Sequence, residues 1–169
     1  MKITVVSDSH DRGDLLARAL EHARDWGAQA AFHCGDVIGT HTLRRALAVG
    51  LPLHVIHGNN LGDIPSLMRL ASQSGGRLTY HGAEAALELA GRRLFMIHYP
   101  HLARGMALTG DYDAVFCGHS HQAEIQAVEA IGGRRTVMVN PGTVAGLAAP
   151  QTFAVGDLAT LAFEIRTFE

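Results

Sequence analysis

Residues 114–121 read AVFCGHSH, and this stretch determines how the rest of the sequence is interpreted. Its four apolar residues predict a short buried strand, which is followed at once by Gly118 and by two histidines, His119 and His121. At strand spacing, side chains two positions apart project to the same side, so we expect both imidazoles to face one place. The glycine before them allows the backbone to bend and to approach a neighbouring segment closely. The stretch therefore predicts a strand end that presents two imidazoles to a site.

Polar residues end four other predicted strands in a similar way. These strands are residues 2–7, 30–34, 53–57 and 93–98. Ligands of open parallel sheets bind at the carboxyl ends of the strands, so we expect the polar residues of all five strand ends to meet. The resulting cluster has two carboxylates, one amide and four imidazoles, supplied by Asp8, His10, Asp36, Asn59, His98, His119 and His121.

Such a cluster is chemically reasonable as a metal site. Crowded carboxylates repel one another and raise each other's pKa, and neutral imidazoles are poor partners for them. A divalent cation removes both problems, and a mixed set of carboxylate oxygens and imidazole nitrogens suits Mn, Fe, Zn or Ni better than Ca or Mg. Seven side chains exceed the needs of one catalytic ion, which keeps a position open. Two ions about 3.5–4 Å apart that share one carboxylate would use the whole set.

The remaining pattern predicts an α/β fold in a single domain, residues 1–169. Helical periodicity separates the first three strands, which indicates βαβαβ order with parallel strands, and a short helix is predicted over residues 65–73. Alternating apolar residues around Gly91 and around Gly132–Gly133 predict hairpins, and residues 152–168 predict a final strand pair. Two mixed sheets packed face to face, with helices outside, would bury both sets of strands.

Composition excludes several classes of function. The chain has 169 residues with 47% hydrophobic and 18% charged residues, an ordinary globular balance. A formal net charge of −2 gives no sign of a nucleic-acid groove. No apolar run approaches the roughly 20 residues that cross a bilayer, so we expect no membrane contact. Two cysteines, Cys34 and Cys117, do not make a disulfide framework, which favours a cytoplasmic protein.

The ordered residues resemble the signature of the calcineurin-like metallophosphoesterase superfamily. That signature runs Asp-x-His, Gly-Asp, Gly-Asn followed by His or Cys, then His, and finally Gly-His-x-His. The chain is most similar to the small, single-domain bacterial and archaeal phosphodiesterases of this superfamily, and its NPGT segment, residues 140–143, resembles their Asn-Pro-Gly-Ser. The resemblance spans nearly the whole chain and implies a four-layer αββα sandwich.

The resemblance also implies an assignment of ligands and a reaction. Asp8, His10 and His121 would hold one ion, Asn59, His98 and His119 the other, and Asp36 would bridge them. The cofactors would be two divalent transition-metal ions, with Mn²⁺ favoured and Ni²⁺, Fe²⁺ and Zn²⁺ as alternatives. A hydroxide shared by the ions would attack phosphorus in line with the leaving group of a small phosphodiester substrate, and no side chain would serve as nucleophile.

The chain departs from the family pattern at two places. Asn60 stands where the family has His or Cys, and an amide cannot act as a general acid, so we expect slow turnover or a preference for good leaving groups. Tyr99 and Pro100 replace the usual Gly, which moves the next histidine to His101. Asn60 and His101 are the candidate substrate-binding residues, although a solvated loop is the favoured interpretation of His101, and likewise of Asp63.

Other functions remain open at this point. A protein-interaction scaffold of the same fold would bind metal and catalyse weakly, but such scaffolds have eroded metal sites, whereas all seven ligand positions here carry competent side chains. A phosphomonoesterase or a dinucleoside-polyphosphate hydrolase differs only in loops and pocket shape, which the sequence does not reveal. Apolar faces on the predicted hairpins leave a homo-oligomer open.

Overall fold

The computed structural model describes residues 1–167 and contains eleven strands, four α-helices and one 3₁₀ turn in that range. In chain order the elements are β1 (Lys2–Val6), α1 (Gly13–Trp26), β2 (Ala31–His33), α2 (Thr40–Ala48), β3 (Leu53–Val55), α3 (Ile64–Gln73), β4 (Leu78–Tyr80), β5 (Glu84–Leu89), β6 (Arg92–Ile97), α4 (Pro100–Thr109), β7 (Ala114–Phe116), β8 (Ala123–Glu129), the 3₁₀ turn (Ile131–Gly133), β9 (Arg135–Pro141), β10 (Thr152–Asp157) and β11 (Ala162–Thr167). The predicted final strand pair is confirmed through Thr167, and Phe168 lies outside the described residues.

The strands form two mixed sheets. The first has the order β11-β10-β1-β2-β3-β4, in which β1 to β4 are parallel and β10 is antiparallel to both of its neighbours, β1 and β11. The second has the order β5-β6-β7-β9-β8, in which β6, β7 and β9 are parallel and the two edge strands are antiparallel. The predicted α/β class with two mixed sheets is therefore confirmed.

Three apolar clusters hold four layers together. Alternate residues of β1 and β6, such as Ile3 and Met96, pack between the sheets because successive strand side chains point to opposite faces. The rings of Phe32 and Phe116 meet across this gap with centroids 5.3 Å apart. A second cluster joins the first three helices to the outer face of the first sheet, and a third joins α4 to the outer face of the second. This is the αββα arrangement that the resemblance implied.

Two elements were not predicted from the sequence. Strand β4 has three residues, too few to show a period, and it forms because Leu78 pairs with Leu53 of β3. Helix α4 begins at Pro100 and buries only two small residues, Ala103 and Ala107, so its sequence carries little of the apolar stripe that predicts a helix. His101 consequently lies on a helix, and the interpretation of this residue as part of a loop is wrong.

The strand spacing expected for His119 and His121 is also wrong. Strand β7 ends at Phe116, and the histidines follow in irregular backbone with φ of 68° and 58°. Both are in the left-handed region, where the alternation of side chains along a strand does not apply. Among the described residues, no helix is both long and apolar enough to cross a bilayer.

Candidate functional site

All seven predicted ligand residues lie in loops that follow the carboxyl ends of parallel strands. Loops after β1, β2 and β3 come from the first sheet, and loops after β6 and β7 come from the second. Because each group of strands is parallel, its loops lie at one edge of its sheet, and the two edges adjoin in the sandwich. The residues that these loops bring together are Asp8, His10, Asp36, Asn59, His98, His119 and His121.

The backbone is unusual at five of these seven positions. The left-handed φ values are 53° at Asp8, 39° at His10, 55° at Asp36, 68° at His119 and 58° at His121. This region is uncommon for residues other than glycine, although Asp and His tolerate it better than most, and each instance costs about 1–2 kcal/mol. Backbone strain of this kind collects where surrounding structure forces side chains into one place. The strain therefore marks these loops as a site.

The first group of side chains surrounds Asp8. One ligand atom from each of Asp8, His10 and His121 lies within 4.8 Å of the others. His121 Nε2 is 3.3 Å and His10 Nε2 is 3.8 Å from Asp8 Oδ1, and the two nitrogens are 3.2 Å apart. Asp8 Oδ2 accepts a hydrogen bond from the backbone N–H of His119, at 2.9 Å. Asp8 Oδ1, in contrast, is buried and has no hydrogen-bond partner among the described residues.

The second group lies on the other side of Asp36. Oδ1 of the Asp36 carboxylate lies 3.5 Å from His98 Nε2, and its Oδ2 lies 3.9 Å from His10 Nε2. Asp36 therefore stands between the two groups. Asn59 Oδ1 is 3.0 Å from His98 Nε2 and 2.8 Å from His119 Nδ1. The rings of His98 and His119 have centroids 5.1 Å apart. The seven residues thus form one continuous cluster.

Hydrogen bonds to backbone carbonyls set the tautomers of two histidines. His98 Nδ1–H donates to Cys34 O at 2.7 Å, and His121 Nδ1–H donates to Leu147 O at 2.9 Å. A carbonyl can only accept, so each ring, in its neutral form, presents the lone pair of Nε2 to the cluster. Histidines that ligate metals are held in this manner by their other nitrogen. Lone pairs on nitrogen beside a buried, unpartnered carboxylate oxygen repel each other unless a cation lies between them, so these residues fit divalent metal ions.

Two glycines allow the loops to approach. A Cβ at Gly118 would lie 1.9 Å from Ser7 Oγ and 2.7 Å from Asp8 Oδ2. A Cβ at Gly58 would lie 2.2 Å from Asp36 Oδ1 and 2.7 Å from His98 Nε2. Any side chain at either position would displace a residue of the cluster. The close approach predicted for Gly118 is confirmed.

A buried histidine, His33, connects the first two loops through hydrogen bonds. His33 accepts a hydrogen bond from Gly35 N–H at Nδ1 and therefore donates from Nε2 to Ser9 Oγ, at 2.9 Å. Burial, and to a smaller extent the nearby His98, lower the pKa of His33 to about 3. His33 is neutral at ordinary pH and connects the loop after β1 to the end of β2.

The NPGT segment holds two of the loops, a role that sequence reasoning missed. Asn140 Nδ2 donates to Gly118 O at 3.0 Å and to Ser120 Oγ at 2.9 Å, while its Oδ1 accepts from Gly142 N–H. Thr143 Oγ1 donates to Asp8 O at 2.9 Å. The segment therefore supports both the loop that carries His119 and His121 and the loop that carries Asp8. Its resemblance to a family motif was the available signal, but the motif alone did not show which atoms it would contact.

The two candidate substrate-binding residues differ in position. Asn60 lies at the cluster, where its backbone N–H donates to Asp36 Oδ1 at 2.9 Å and its side-chain amide donates to Asp36 Oδ2. His101 is exposed on α4, with its ring centroid 5.8 Å from that of Tyr99. Asp63 caps α3 by accepting from Ser66 N–H, which agrees with its interpretation as a loop residue.

A cavity of about 480 Å³ adjoins the cluster. Tyr99 forms part of its wall, and the Tyr99 ring stands edge-on to those of His98 and His119 with centroids 5.3 Å and 4.9 Å away. The described residues that line the cavity are His57, Gly58, Asn59, Leu61, Ala83, Glu84, Ile97, His98, Tyr99 and Leu102. Asn59 and His98 belong to both cavity and cluster, whereas His101 is not in this lining. Sequence reasoning missed the cavity because its wall joins three separate segments, residues 57–61, 83–84 and 97–102.

Comparisons with known proteins agree on one family. The sequence model of the calcineurin-like phosphoesterase superfamily domain matches residues 1–161. Phosphodiesterase MJ0936 from Methanocaldococcus jannaschii is 25% identical over 148 residues, which cover 86% of each chain.

Solved structures show the same fold at lower identity. The structure of an archaeal phosphodiesterase aligns with a TM-score of 0.88 at 22% identity and covers 99% of this chain and 100% of its own. Yfce, a phosphoesterase from E. coli, aligns with a TM-score of 0.66 at 19% identity over the whole of both chains. Zinc-bound Vps29 from Entamoeba histolytica aligns with a TM-score of 0.62 at 16% identity over 98% of this chain and 97% of its own. At these identities the structural likeness establishes the fold.

Proposed function

This chain belongs to the calcineurin-like phosphoesterase superfamily, a metal-dependent family of hydrolases, and on that premise we propose that it hydrolyses phosphodiester bonds with two bound metal ions. The observation that carries the proposal is the convergence of seven competent ligands from five loops. Among them, Asp8 Oδ1 is buried without a hydrogen-bond partner among the described residues, and Nε2 of His121 faces it at 3.3 Å. A divalent ion between these two atoms would take both as ligands.

The proposed ligands divide into two sets with one shared member. Asp8, His10 and His121 would hold one ion, and Asn59, His98 and His119 the other. Asp36 is assigned to both because its two oxygens face His98 and His10, at 3.5 Å and 3.9 Å. The donor set of carboxylate, amide and imidazole suits a transition metal, and Mn²⁺ is the ion we favour.

When bound, the two ions would supply hydroxide near neutral pH and neutralise charge on the phosphoryl oxygens. The residues of the chain hold the proposed ligands in position. Carbonyl groups of Cys34 and Leu147 accept from Nδ1 of His98 and His121, which leaves Nε2 of each neutral ring as the atom that would ligate an ion. No cysteine competes as a nucleophile: burial raises the pKa of Cys34, and it raises the pKa of Cys117 to about 12.

Two observations favour diesters over monoesters. The curated relative with 86% coverage is named a phosphodiesterase. In addition, a cavity of about 480 Å³ adjoins Asn59 and His98, so there is room beside the cluster for the second ester group that a diester carries and a monoester lacks.

The proposal is tested by metal-dependent turnover. Protein purified without chelator is analysed for bound metal and assayed on mono- and bis-(p-nitrophenyl) phosphate with Mn²⁺, Ni²⁺ and Zn²⁺. We expect turnover of the bis ester that disappears with EDTA, returns with Mn²⁺ and is abolished by Asp36→Asn. Asp63→Asn, a change at an exposed carboxylate that caps α3, should retain activity. Metal-loaded protein that hydrolyses no phosphoester would overturn the proposal and favour a binding role.

A further inference from the structure

We infer that the cavity beside the cluster binds a neutral, ring-containing ester group of the substrate, so that the chain prefers phosphodiesters with at least one such group. The inference rests on the proposed function, because it concerns the part of a diester that extends away from the reacting phosphorus. It specifies a class of substrate that neither the family nor the relatives define.

The position of the cavity supports this assignment. Asn59 and His98 line it and also belong to the proposed ligands of one ion. A phosphoryl group held at the cluster would therefore lie beside the cavity, close enough for one of its ester groups to enter it. The volume of about 480 Å³ lies within the range usual for pockets that enclose small organic ligands.

The walls of the cavity are apolar side chains from different elements. Leu61, in the loop before α3, is 49% exposed, and Leu102, on α4, is 44% exposed. Ile97 and the ring of Tyr99 line the same space. Large apolar side chains that face one another across an open cavity gain free energy when a ligand removes them from water. An aromatic or similarly flat ring fits between such walls and can pack against Tyr99.

The charge of the lining restricts the group further. Glu84 contributes a carboxylate, and the ten described lining residues include no Lys or Arg. A second phosphate, a polyphosphate chain or a carboxylate in the cavity would meet the like charge of Glu84, while the proposed metal ions beside this lining are already engaged with the reacting phosphoryl group. A hydroxyl or amino substituent could instead donate a hydrogen bond to Glu84. The cavity therefore favours neutral rings over the polyphosphate chain of dinucleoside polyphosphates.

The first experiment compares two diesters with the same leaving group. Mn²⁺-loaded protein is assayed on bis(p-nitrophenyl) phosphate and on p-nitrophenyl methyl phosphate, and the ratio of the two kcat/KM values is measured. Bis(p-nitrophenyl) phosphate has two equivalent leaving groups, so its kcat/KM is first divided by two. We expect the corrected value to exceed that of the methyl ester by at least about tenfold, which is the discrimination that an apolar pocket provides. Leu61→Ser and Leu102→Ser should each lower the ratio about threefold or more, mainly through KM. Leu108→Ser, at an exposed position of α4 outside the cavity lining, should leave the ratio unchanged.

The second experiment tests charge at constant ring size. The substrates are p-nitrophenyl phenyl phosphate and p-nitrophenyl 4-carboxyphenyl phosphate. We expect the carboxylate to lower kcat/KM about threefold or more, and Glu84→Gln to remove most of that difference. Glu88→Gln, an exposed change on the same strand β5, should retain the difference in kcat/KM between the two esters.

The outcomes separate the two proposals. If the wild-type protein and all cavity variants hydrolyse the diesters with the same ratios of kcat/KM, the inference is overturned and the proposed function stands. No turnover of any diester by metal-loaded protein would overturn the proposed function and this inference with it. Comparison between variants cancels the intrinsic reactivity of each ester, so a change of ratio confined to the cavity variants supports the inference.

Discussion

His121 Nε2 lies 3.3 Å from Asp8 Oδ1, and the other nitrogen of His121 donates to Leu147 O. When the His121 ring is neutral, the contact therefore joins two electron-rich atoms, one of them buried without a hydrogen-bond partner among the described residues. Left-handed backbone at both residues, with φ of 58° and 53°, keeps them in this arrangement. The loops thus maintain a geometry that is unfavourable by itself and becomes favourable around a cation.

At a pH where His121 is neutral, this geometry predicts that Asp8→Asn stabilises the metal-free protein. The Asn carbonyl can keep the hydrogen bond from His119 N–H, while its amide donates to the lone pair of His121 in place of a repulsive contact. We expect a gain of about 1 kcal/mol in the free energy of unfolding in EDTA, together with loss of most of the stabilisation by Mn²⁺. Thermal unfolding with and without Mn²⁺ measures both effects.

The exposed change Asp111→Asn serves as the control for this prediction and should alter neither value. If Asp8→Asn were less stable than the wild-type protein in EDTA, the description of the contact as repulsive would be incorrect.

Asn140→Ala should weaken metal binding through the loop that it supports. The variant loses the hydrogen bonds to Gly118 O and Ser120 Oγ, so His119 and His121 lose their fixed positions. Residues that support ligands in this way typically change metal affinity or activity about 10–100-fold. Calorimetric titration with Mn²⁺ and turnover of bis(p-nitrophenyl) phosphate measure the effect.

Thr136→Ala is a matched control on the same strand, β9. Thr136 is buried and donates to Tyr112 O at the opposite end of β7 from the site. It should lower stability by about 1 kcal/mol without changing metal affinity. Equal losses of affinity in both variants would indicate a general effect of stability rather than support of the loop.

Adding one methyl group at either of two glycines should have opposite effects. Gly118→Ala places a Cβ against Ser7 Oγ and Asp8 Oδ2, and we expect a loss of about 1–3 kcal/mol in stability and at least about tenfold in turnover. Gly105, within α4, has open space where an alanine methyl group would lie, with no heavy atom of a neighbouring element within 4 Å. Gly105→Ala should therefore raise stability by about 0.5–1 kcal/mol and leave turnover unchanged. Denaturant unfolding and kinetics test the pair, and a fully active Gly118→Ala would refute the proposed close packing.

His33 predicts how the stability of the metal-free protein depends on pH. Burial lowers its pKa to about 3 in the folded state, from an ordinary value of 6.5. Below pH 6.5 the unfolded chain binds a proton that the folded protein excludes, so its contribution is complete above pH 6.5 and is lost as pH falls towards 3. The slope approaches about 1.4 kcal/mol per pH unit for one group. Urea unfolding in EDTA between pH 7 and pH 4.5 measures this slope of the free energy of unfolding against pH.

His33→Gln should give a shallower dependence than the wild-type protein, since glutamine does not titrate. His41→Gln, at an exposed position, should retain the wild-type slope. Identical slopes in all three proteins would show that His33 gains a proton without unfolding.

Asn60→His should accelerate the hydrolysis of diesters with poor leaving groups most. Asn60 donates to Asp36 and carries no proton that it can transfer to a leaving oxygen, whereas an imidazole at this position can act as a general acid, an effect typically worth about 10²–10⁴-fold. A series of aryl esters with leaving groups of rising pKa measures the dependence. A uniform change of rate across the series would contradict the idea that a missing general acid limits turnover.

Much of the site could be predicted from the sequence because its residues occupy positions that the fold class makes special. Asp8, Asp36 and Asn59 follow parallel strands, and the ends of such strands meet whatever the intervening helices contain. His98 and His119 could be placed for the same reason. The short apolar run of residues 2–7 also predicted a buried strand, and β1 is buried from Ile3 to Val6.

The tertiary structure alone decided how those residues are oriented. His119 and His121 adopt left-handed backbone because Asn140 and the buried Asp8 hold their loop from distant parts of the chain. Helix α4 and strand β4 exist through packing and pairing that their own short, weakly patterned sequences do not encode. The identity and order of the proposed ligands are local properties of the chain. Loop conformation and the shape of the cavity depend instead on contacts between segments far apart in sequence, which no local pattern encodes.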